Sequence, residues 1–321
     1  MFEKQPLVSI IMPVFNSEKY VSEAIESVRN QGHKNWELLI VNDGSTDYTS
    51  KIIDDYSKRD SRIKVFNRKN EGVSGARNFA LSKICGAYVT FIDSDDVYHT
   101  DRLKRMLQVF EKDKECDIVF SRYKEFKGKY SISMNQIPES KAVVTIDNDV
   151  LKKIISDSRN HFMCNVMIKS EIAVKEKFAP IRFAEDYIYI RDCVLHCKKA
   201  TILDEALYFY RRDNENAMTN NSFSEKYILD YMMIVENVYQ FCEKNRLEDE
   251  FYKKMVAHEY SQNGMRIRKS TSYSKFVACM NDKIFREGIQ FADASQCTLF
   301  ERGLFFLIKH KIYFPFIFWI W

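Results

Sequence analysis

Four apolar, strand-like runs near the N-terminus, Leu7–Pro13, Trp36–Asp43, Ile63–Phe66 and Tyr88–Asp96, alternate with segments of helical period. Strands that alternate with helices form βαβ units, which restricts the chain to an α/β architecture with a mostly parallel sheet flanked by helices. The first strand is expected to stop near Pro13, and the helix after it to start with Ser17 as N-cap and end by Gly32. The second run passes into Gly44-Ser45-Thr46-Asp47 and a helix. The third leads through a loop, Asn67 to Gly75, into a helix from about Ala76 to Ile84.

The fourth run carries Asp93, Asp95 and Asp96 at its carboxyl end. Open α/β sheets bind ligands beyond the carboxyl ends of their strands. If the strand continues through this run, Asp93 and Asp95 share a face while Ser94 points away. Two hard oxygen donors so placed suit Mg2+ or Mn2+, which meets protein through one or two carboxylates and substrate phosphates. The alternative is a solvated acidic turn. Asp43 ends its own strand in the same way, so both carboxylates open onto one edge of the sheet. There Asp43 is suited to accept hydrogen bonds from a nucleobase or ribose, although Asp43-Gly44 also makes a good turn and Asp47 a good helix cap. In the loop Asn70 to Asn78, Arg77 is equally suited to a diphosphate or a neighbouring carboxylate.

Four motifs in this order and spacing, Pro13-Val14-Phe15-Asn16, Asn42-Asp43-Gly44-Ser45-Thr46-Asp47, Asn70-Glu71-Gly72 with Gly75-Ala76-Arg77-Asn78, and Asp93-Ser94-Asp95-Asp96, resemble the nucleotide-sugar-binding half of family 2 glycosyltransferases of the GT-A fold. The likeness is dense over roughly the first 120 residues. It implies that Asp43 contacts uracil or ribose, Asp93 the ribose side of the nucleotide, and Asp95 the metal. It returns at Phe183-Ala184-Glu185-Asp186-Tyr187, which resembles the family's element carrying the catalytic base. Displacing a nucleoside diphosphate from an anomeric carbon requires an acceptor hydroxyl to lose its proton, and a nearby carboxylate is the usual agent. That role falls to Asp186, with Glu185 orienting the acceptor or the base; the reverse assignment stays open, as does a purely structural acidic first turn for the helix Asp186 to Cys197. Leu207 to Arg212 resembles a tyrosine and arginine segment of bacterial members. Arg211 or Arg212 is a candidate for the diphosphate, against pairing with Asp213 or Glu215. The chain departs from the family's commoner pattern just beyond, where it has Asp213 and Asn216.

The implied organisation is a GT-A catalytic domain over residues 1–218, with a nucleotide-sugar half to about 120 and an acceptor half from about 121, followed by a helical appendage over 219–321. Within that appendage helical period runs through Tyr227 to Tyr239, Phe251 to His258 and Phe276 to Phe291. A net charge of +4, without a recognisable binding motif, excludes nucleic acid as the main partner. The eight cysteines lack the spacing of a disulfide framework and no signal peptide precedes Met1, so the reducing cytoplasm is expected. Cys193, His196 and Cys197 share a helix, but buried thiols account for them better than a metal site.

The aromatic segment Gly303 to Trp321, interrupted by Lys309, His310, Lys311 and Pro315, suits an in-plane anchor on the inner face of the cell membrane better than a span. A buried helix or a subunit contact is the alternative. The expected function is a metal-dependent, inverting glycosyltransferase that moves a sugar from a UDP-linked donor to a bacterial surface glycan or polyprenyl-linked acceptor. A sugar-phosphate nucleotidyltransferase is a competing enzyme class, disfavoured because no glycine-rich, lysine-containing loop for a triphosphate lies near the N-terminus. A non-catalytic membrane-bound partner of the same fold is the third class. The sugar, the linkage and the oligomeric state are open.

Overall fold

In the computed structural model, residues 5–131, 143–156, 162–215, 227–293, 295, 302–303, 306–307 and 309–310 are described. They divide into two compact units. The first comprises residues up to Pro180 and Glu185–Asn214, and the second Ile181–Ala184 with the chain from Glu215 onward.

The first unit opens with β1 (Val8–Val14), α1 (Val21–Arg29), β2 (Trp36–Asn42), α2 (Thr49–Arg59), β3 (Ile63–Asn67), α3 (Gly72–Leu81) and β4 (Tyr88–Phe91). It continues with β5 (Val97–Tyr98), α4 (Arg102–Lys112), β6 (Ile118–Phe126), β7 (Val143–Ile146), α5 (Val150–Ser156), β8 (Val166–Lys169), α6 (Ser170–Ala173), α7 (Glu185–Leu195) and β9 (Ala200–Arg211). Among the described residues one nine-stranded mixed sheet runs β3-β2-β1-β4-β8-β6-β9-β5, with β7 also on β9. The stretch β3-β2-β1-β4 is wholly parallel, whereas β8 is antiparallel to both β4 and β6. Chain order reverses beside β1, because β2 pairs on one side of it and β4 on the other. Such a switch point leaves a crevice beyond the strand ends.

Alternate residues of β1 serve opposite cores. Val8, Ile10, Met12 and Val14 pack with α1 and α4, while Ile11 faces Ala76 and Ala80 of α3 and Tyr189 and Ile190 of α7. The helices that carry Arg77 and Glu185 are therefore held on one face. β1 ends at Val14, one residue past Pro13 and so where the sequence suggested, and Pro13 itself pairs with Val41. Ile11 O accepts from Ile92 N on the β4 side, and Pro13, two residues on, faces that side after β4 has ended, so its missing N–H breaks no ladder bond. Helix α1 also begins later than the Ser17 cap implied. The Ser17 carbonyl accepts from Tyr20 N and Val21 N, and its hydroxyl is spent 2.6 Å from Ser94 Oγ.

The second unit contains α8 (Ile228–Lys244), α9 (Glu250–Ser270), α10 (Tyr273–Met280) and α11 (Lys283–Phe291). Asp249 caps α9 by accepting from Phe251 N and Tyr252 N. Tyr260 is buried, with its ring against Gly288, a position that has no room for a β-carbon. Among the described residues no helix is long and apolar enough to cross a membrane. Most of the expected anchor, residues 311–321, lies outside the described residues.

Gly86 precedes β4, and a β-carbon there would stand 2.7 Å from Leu7 O and Ser9 N, both backbone atoms that cannot rotate away. Gly86→Ala should lower the free energy of unfolding by about 1–3 kcal/mol, as overpacking does. Urea denaturation of the variant checks this; an unchanged midpoint would show that β1 shifts without cost.

Candidate active site

Loops after β1, β2 and β3 interlock at the carboxyl edge of the sheet. Pro13 and Val14 finish β1, and Phe15 follows with 49% of its surface exposed at the rim. Asn16 adopts a left-handed backbone at φ 47° and ties the loops together: its N–H donates to Ser45 Oγ at 3.0 Å, and its Oδ1 accepts from Thr46 N at 2.8 Å. Asp43 is buried and accepts from Glu71 N at 2.8 Å through one oxygen and from Gly72 N at 2.9 Å through the other. Each carboxylate oxygen keeps a further acceptor site, so this bonding holds the loop without exhausting Asp43. Gly44 stands at φ +80°, with Asn70 N only 3.2 Å from where a β-carbon would sit. Asp47 accepts from Thr49 N, a local turn bond, and from Glu18 N, 29 residues away, which ties it to the loop after β1.

The acidic segment is not strand. β4 ends at Phe91, and Asp96 N donates to Asp93 O at 3.1 Å, closing a turn over 93–96. The expectation that Asp93 and Asp95 share a strand face is therefore corrected, since the two-residue alternation applies only to extended backbone. Asp, Ser and Asp all favour turns because their side chains bond nearby backbone. Contacts from distant residues order the turn instead. Asn214 Nδ2 donates to Asp95 Oδ2 at 2.7 Å, Arg211 Nε to Asp95 O at 2.7 Å, and Tyr208 Oη to Asp96 Oδ2 at 2.6 Å. Asp96 also accepts from Arg211 N at 2.7 Å. Burial pushes the Asp96 carboxyl well above its usual range, reinforced by the charges of Asp95 and Asp93. Asp95 is raised for the same first reason, with Asn214 opposing.

The Glu185-Asp186 pair begins α7, directly after Ala184 at φ 58°, an uncommon backbone conformation for a residue with a β-carbon. Arg77 bonds two carboxylates: Nη1 donates to Glu185 Oε1 at 2.8 Å and Nη2 to Asp93 Oδ1 at 3.0 Å. Burial and the neighbouring charge of Asp186 push Glu185 from 4.5 up to about 7, against the pull of Arg77. Arg211 is equally committed, to Asp95 O, Gly128 O, Glu23 and, as the sequence allowed, Asp213 at 3.6 Å, while Arg212 pairs with Glu125 at 3.2 Å. Sequence reasoning assigned no role to Asp96, Tyr208 or Asn214. The third carboxylate of Asp-Ser-Asp-Asp was the available signal for Asp96, and the tyrosine and arginine segment Leu207 to Arg212 that for Tyr208; nothing local marked Asn214.

A family model described as "Glycosyl transferase family 2" matches residues 9–171. The chain belongs to that family. Bacillus subtilis EpsJ, an uncharacterized glycosyltransferase, is 31% identical over 219 residues, which cover 67% of this chain and 63% of EpsJ. TuaG of the same organism, provisionally assigned to teichuronic acid biosynthesis, is 31% identical over 217 residues, covering 67% of this chain and 83% of TuaG. The crystal structure of S. aureus TarS 1-349 with UDP-GlcNAc superposes with a TM-score of 0.66 at 21% identity, over 95% of this chain and 87% of that one. At that identity the likeness is one of fold, and the fold is the expected GT-A. The loops and acidic turn of this family 2 member fall inside the matched residues, whereas Glu185, Asp186, Tyr208 and Arg211 follow them in the chain.

Because the native pKa of Glu185 lies above its unfolded value, native protein binds more protons between about 4.5 and about 7. Stability from this group is therefore present below 4.5 and lost as pH rises towards 7. Glu185→Gln, which stays neutral, should gain stability relative to the parent as pH rises through that window. Thermal unfolding of both proteins at a series of pH values measures it, and a constant difference would place the native Glu185 pKa near its ordinary value.

Proposed function

We propose that this chain transfers a sugar from a UDP-linked donor to a hydroxyl of a bacterial surface glycan or polyprenyl-linked oligosaccharide, with inversion. The observation that carries the reading is the ion-paired junction Asp93–Arg77–Glu185, which puts the acidic turn and the Glu185-Asp186 pair on one edge of the sheet. A donor subsite and a base are needed within reach of one anomeric carbon. Family membership supports sugar transfer, TuaG supports a cell-surface polysaccharide, and TarS, solved with UDP-GlcNAc, supports a UDP-sugar.

Asp43 is assigned to the uracil or ribose, with Pro13 to Asn16, Gly44, Ser45, Asp47, Asn70 and Gly72 shaping the cradle. Asp93 and Ser94 lie on its phosphate side. Asp186 takes the proton of the acceptor hydroxyl as its oxygen attacks the anomeric carbon, and the bond to the β-phosphate oxygen breaks on the opposite face. Glu185 is bound to Arg77, which favours Asp186 as the base. Among the described residues no three His, Cys, Asp or Glu converge as a metal cage. The fit is instead to an ion shared with substrate: Asp95 is a hard oxygen donor that burial and Asp93 disfavour as an anion, a cost that a cation relieves. Asp95 and Asp93 would hold Mg2+ or Mn2+, which when bound neutralises the departing diphosphate.

Slow hydrolysis of a panel of nucleotide sugars, measured with Mn2+ and with chelator, tests the reading. One UDP-sugar should stand out, chelation and Asp95→Asn should abolish turnover, and Asp186→Asn should lower transfer by about 100-fold or more while donor affinity persists. Turnover undiminished by chelator removes the metal from the proposal. Asp186→Asn with normal saturated turnover moves the base to Glu185.

We further assign residues 1–218 to catalysis and the segment from Gly303 to Trp321 to docking on the inner face of the membrane, on its aromatic and lysine content. Deleting 303–321 should move the protein to the soluble fraction while donor hydrolysis persists. Alkaline carbonate should extract the intact protein. A full-length protein that stays soluble and monomeric without detergent contradicts the anchor.

A further inference from the structure

We propose that Arg77 and Asn78, adjacent residues of α3, are positioning residues that fasten Glu185-Asp186 to the acidic turn, rather than ligands of the donor. The kinetic part of this inference rests on the function proposed above. Arg77 is 5% exposed and divides its guanidinium between Asp93 and Glu185, 16 and 108 residues away in the chain. A planar fork can hold two carboxylates at once; the single ammonium of a lysine is a point charge that cannot reproduce that spacing. Asn78 is spent with equal specificity. Its Nδ2 donates to Phe178 O at 2.9 Å and its Oδ1 accepts from Phe178 N at 2.8 Å, engaging both backbone groups of one residue.

Phe178 is the second anchor. Its ring stacks on Tyr189 of α7 at 3.9 Å between centroids and 8° between planes, and the Arg77 guanidinium lies 5.3 Å from its centroid. Two consecutive side chains of α3 therefore hold the loop that enters α7, Asn78 at Phe178 and Arg77 at Glu185. With Ala184 in a left-handed conformation immediately before the pair, that entry needs external support. A donor ligand would be expected to aim its guanidinium at open space beside the turn; the Arg77 guanidinium is instead buried, with Nη1 and Nη2 each on a protein carboxylate and Nε enclosed without a partner among the described residues.

A double-mutant cycle separates the two roles. Arg77→Met should lower kcat by about 100-fold, the scale of a small misplacement of reacting groups, and leave the donor KM little changed. Arg77→Lys should recover only part of that loss. In the Glu185→Gln background Arg77→Met should cost clearly less than in the parent, because the charged partner on α7 is already gone and only the bond to Asp93 remains to be lost. Asn78→Asp, which loses the bond to Phe178 O, should follow Arg77→Lys in kcat with donor KM preserved. A rise in donor KM with kcat intact, or additive effects of the Arg77 and Glu185 substitutions, overturns the inference.

The same four proteins of the cycle also give an answer that needs no substrate. Their unfolding equilibria in urea should show coupling of roughly tenfold or more between Arg77 and Glu185. Independence of the two residues in unfolding refutes the clamp whatever the enzyme does. If no nucleotide sugar is turned over by the parent protein, the proposed function fails while the unfolding cycle still decides the clamp.

Discussion

Three carboxylates stand within four residues at the sheet edge, and two of them, Asp95 and Asp96, lose hydration there beside the charge of the more exposed Asp93. Asp95 and Asp96 both show the result, as carboxyls raised by burial and by each other's neighbours. The rest of the unit is arranged around that cost. Tyr208 and the Arg211 backbone bond Asp96, Asn214 and the Arg211 side chain bond the Asp95 residue, and Arg77 bonds Asp93. An acidic turn without these donors would be protonated or displaced, since a buried charge persists only when paired or hydrogen-bonded.

This explains why a sheet that starts parallel ends mixed. The parallel strands β3-β2-β1-β4 are enough to create the crevice, but they carry no donor for the acidic turn. Strand β9 does, delivering Tyr208 and Arg211 to it, and it lies beyond β8 and β6 in the sheet. A second buried cation, Arg102, packs between the Tyr98 and Tyr208 rings and donates to Ser121 Oγ and Cys164 O, which makes the tyrosine that bonds Asp96 part of the core. Packing and electrostatics are here one problem.

Much of the N-terminal half was readable in the chain itself. The runs at Leu7, Trp36 and Tyr88 became strands because predominantly apolar residues fit a sheet covered on both faces, while the Ile63 run forms the more exposed edge strand. The turn chemistry at Asp43-Gly44 was equally local: Gly44 does sit at positive φ, where a β-carbon is disfavoured. Periodicity misled where side chains had longer-range uses. Ser17 resembles a helix cap, yet its hydroxyl meets Ser94, 77 residues away. The acidic run resembles the end of a strand, yet it closes as a turn from Asp96 N to Asp93 O, and its side chains are bonded by remote residues.

By itself, then, the sequence determined the βαβ alternation, the edge at which Asp43, Asp93 and Asp95 collect, and the four motifs of the family. These follow from hydrophobic period and turn propensity, which act over a few residues. Only the tertiary structure decided the partners of the charges. Arg77 had two chemically equal options, a diphosphate or a carboxylate, and it is held by Asp93 and Glu185 because α3 and α7 share one face of the sheet. Arg211 keeps an ion pair to its chain neighbour Asp213 at 3.6 Å, and in addition points its fork inward to Glu23, Gly128 O and Asp95 O. Ion pairing depends on distance and burial rather than on adjacency in the chain, so which pairs form is decided only once the sheet has brought remote segments together.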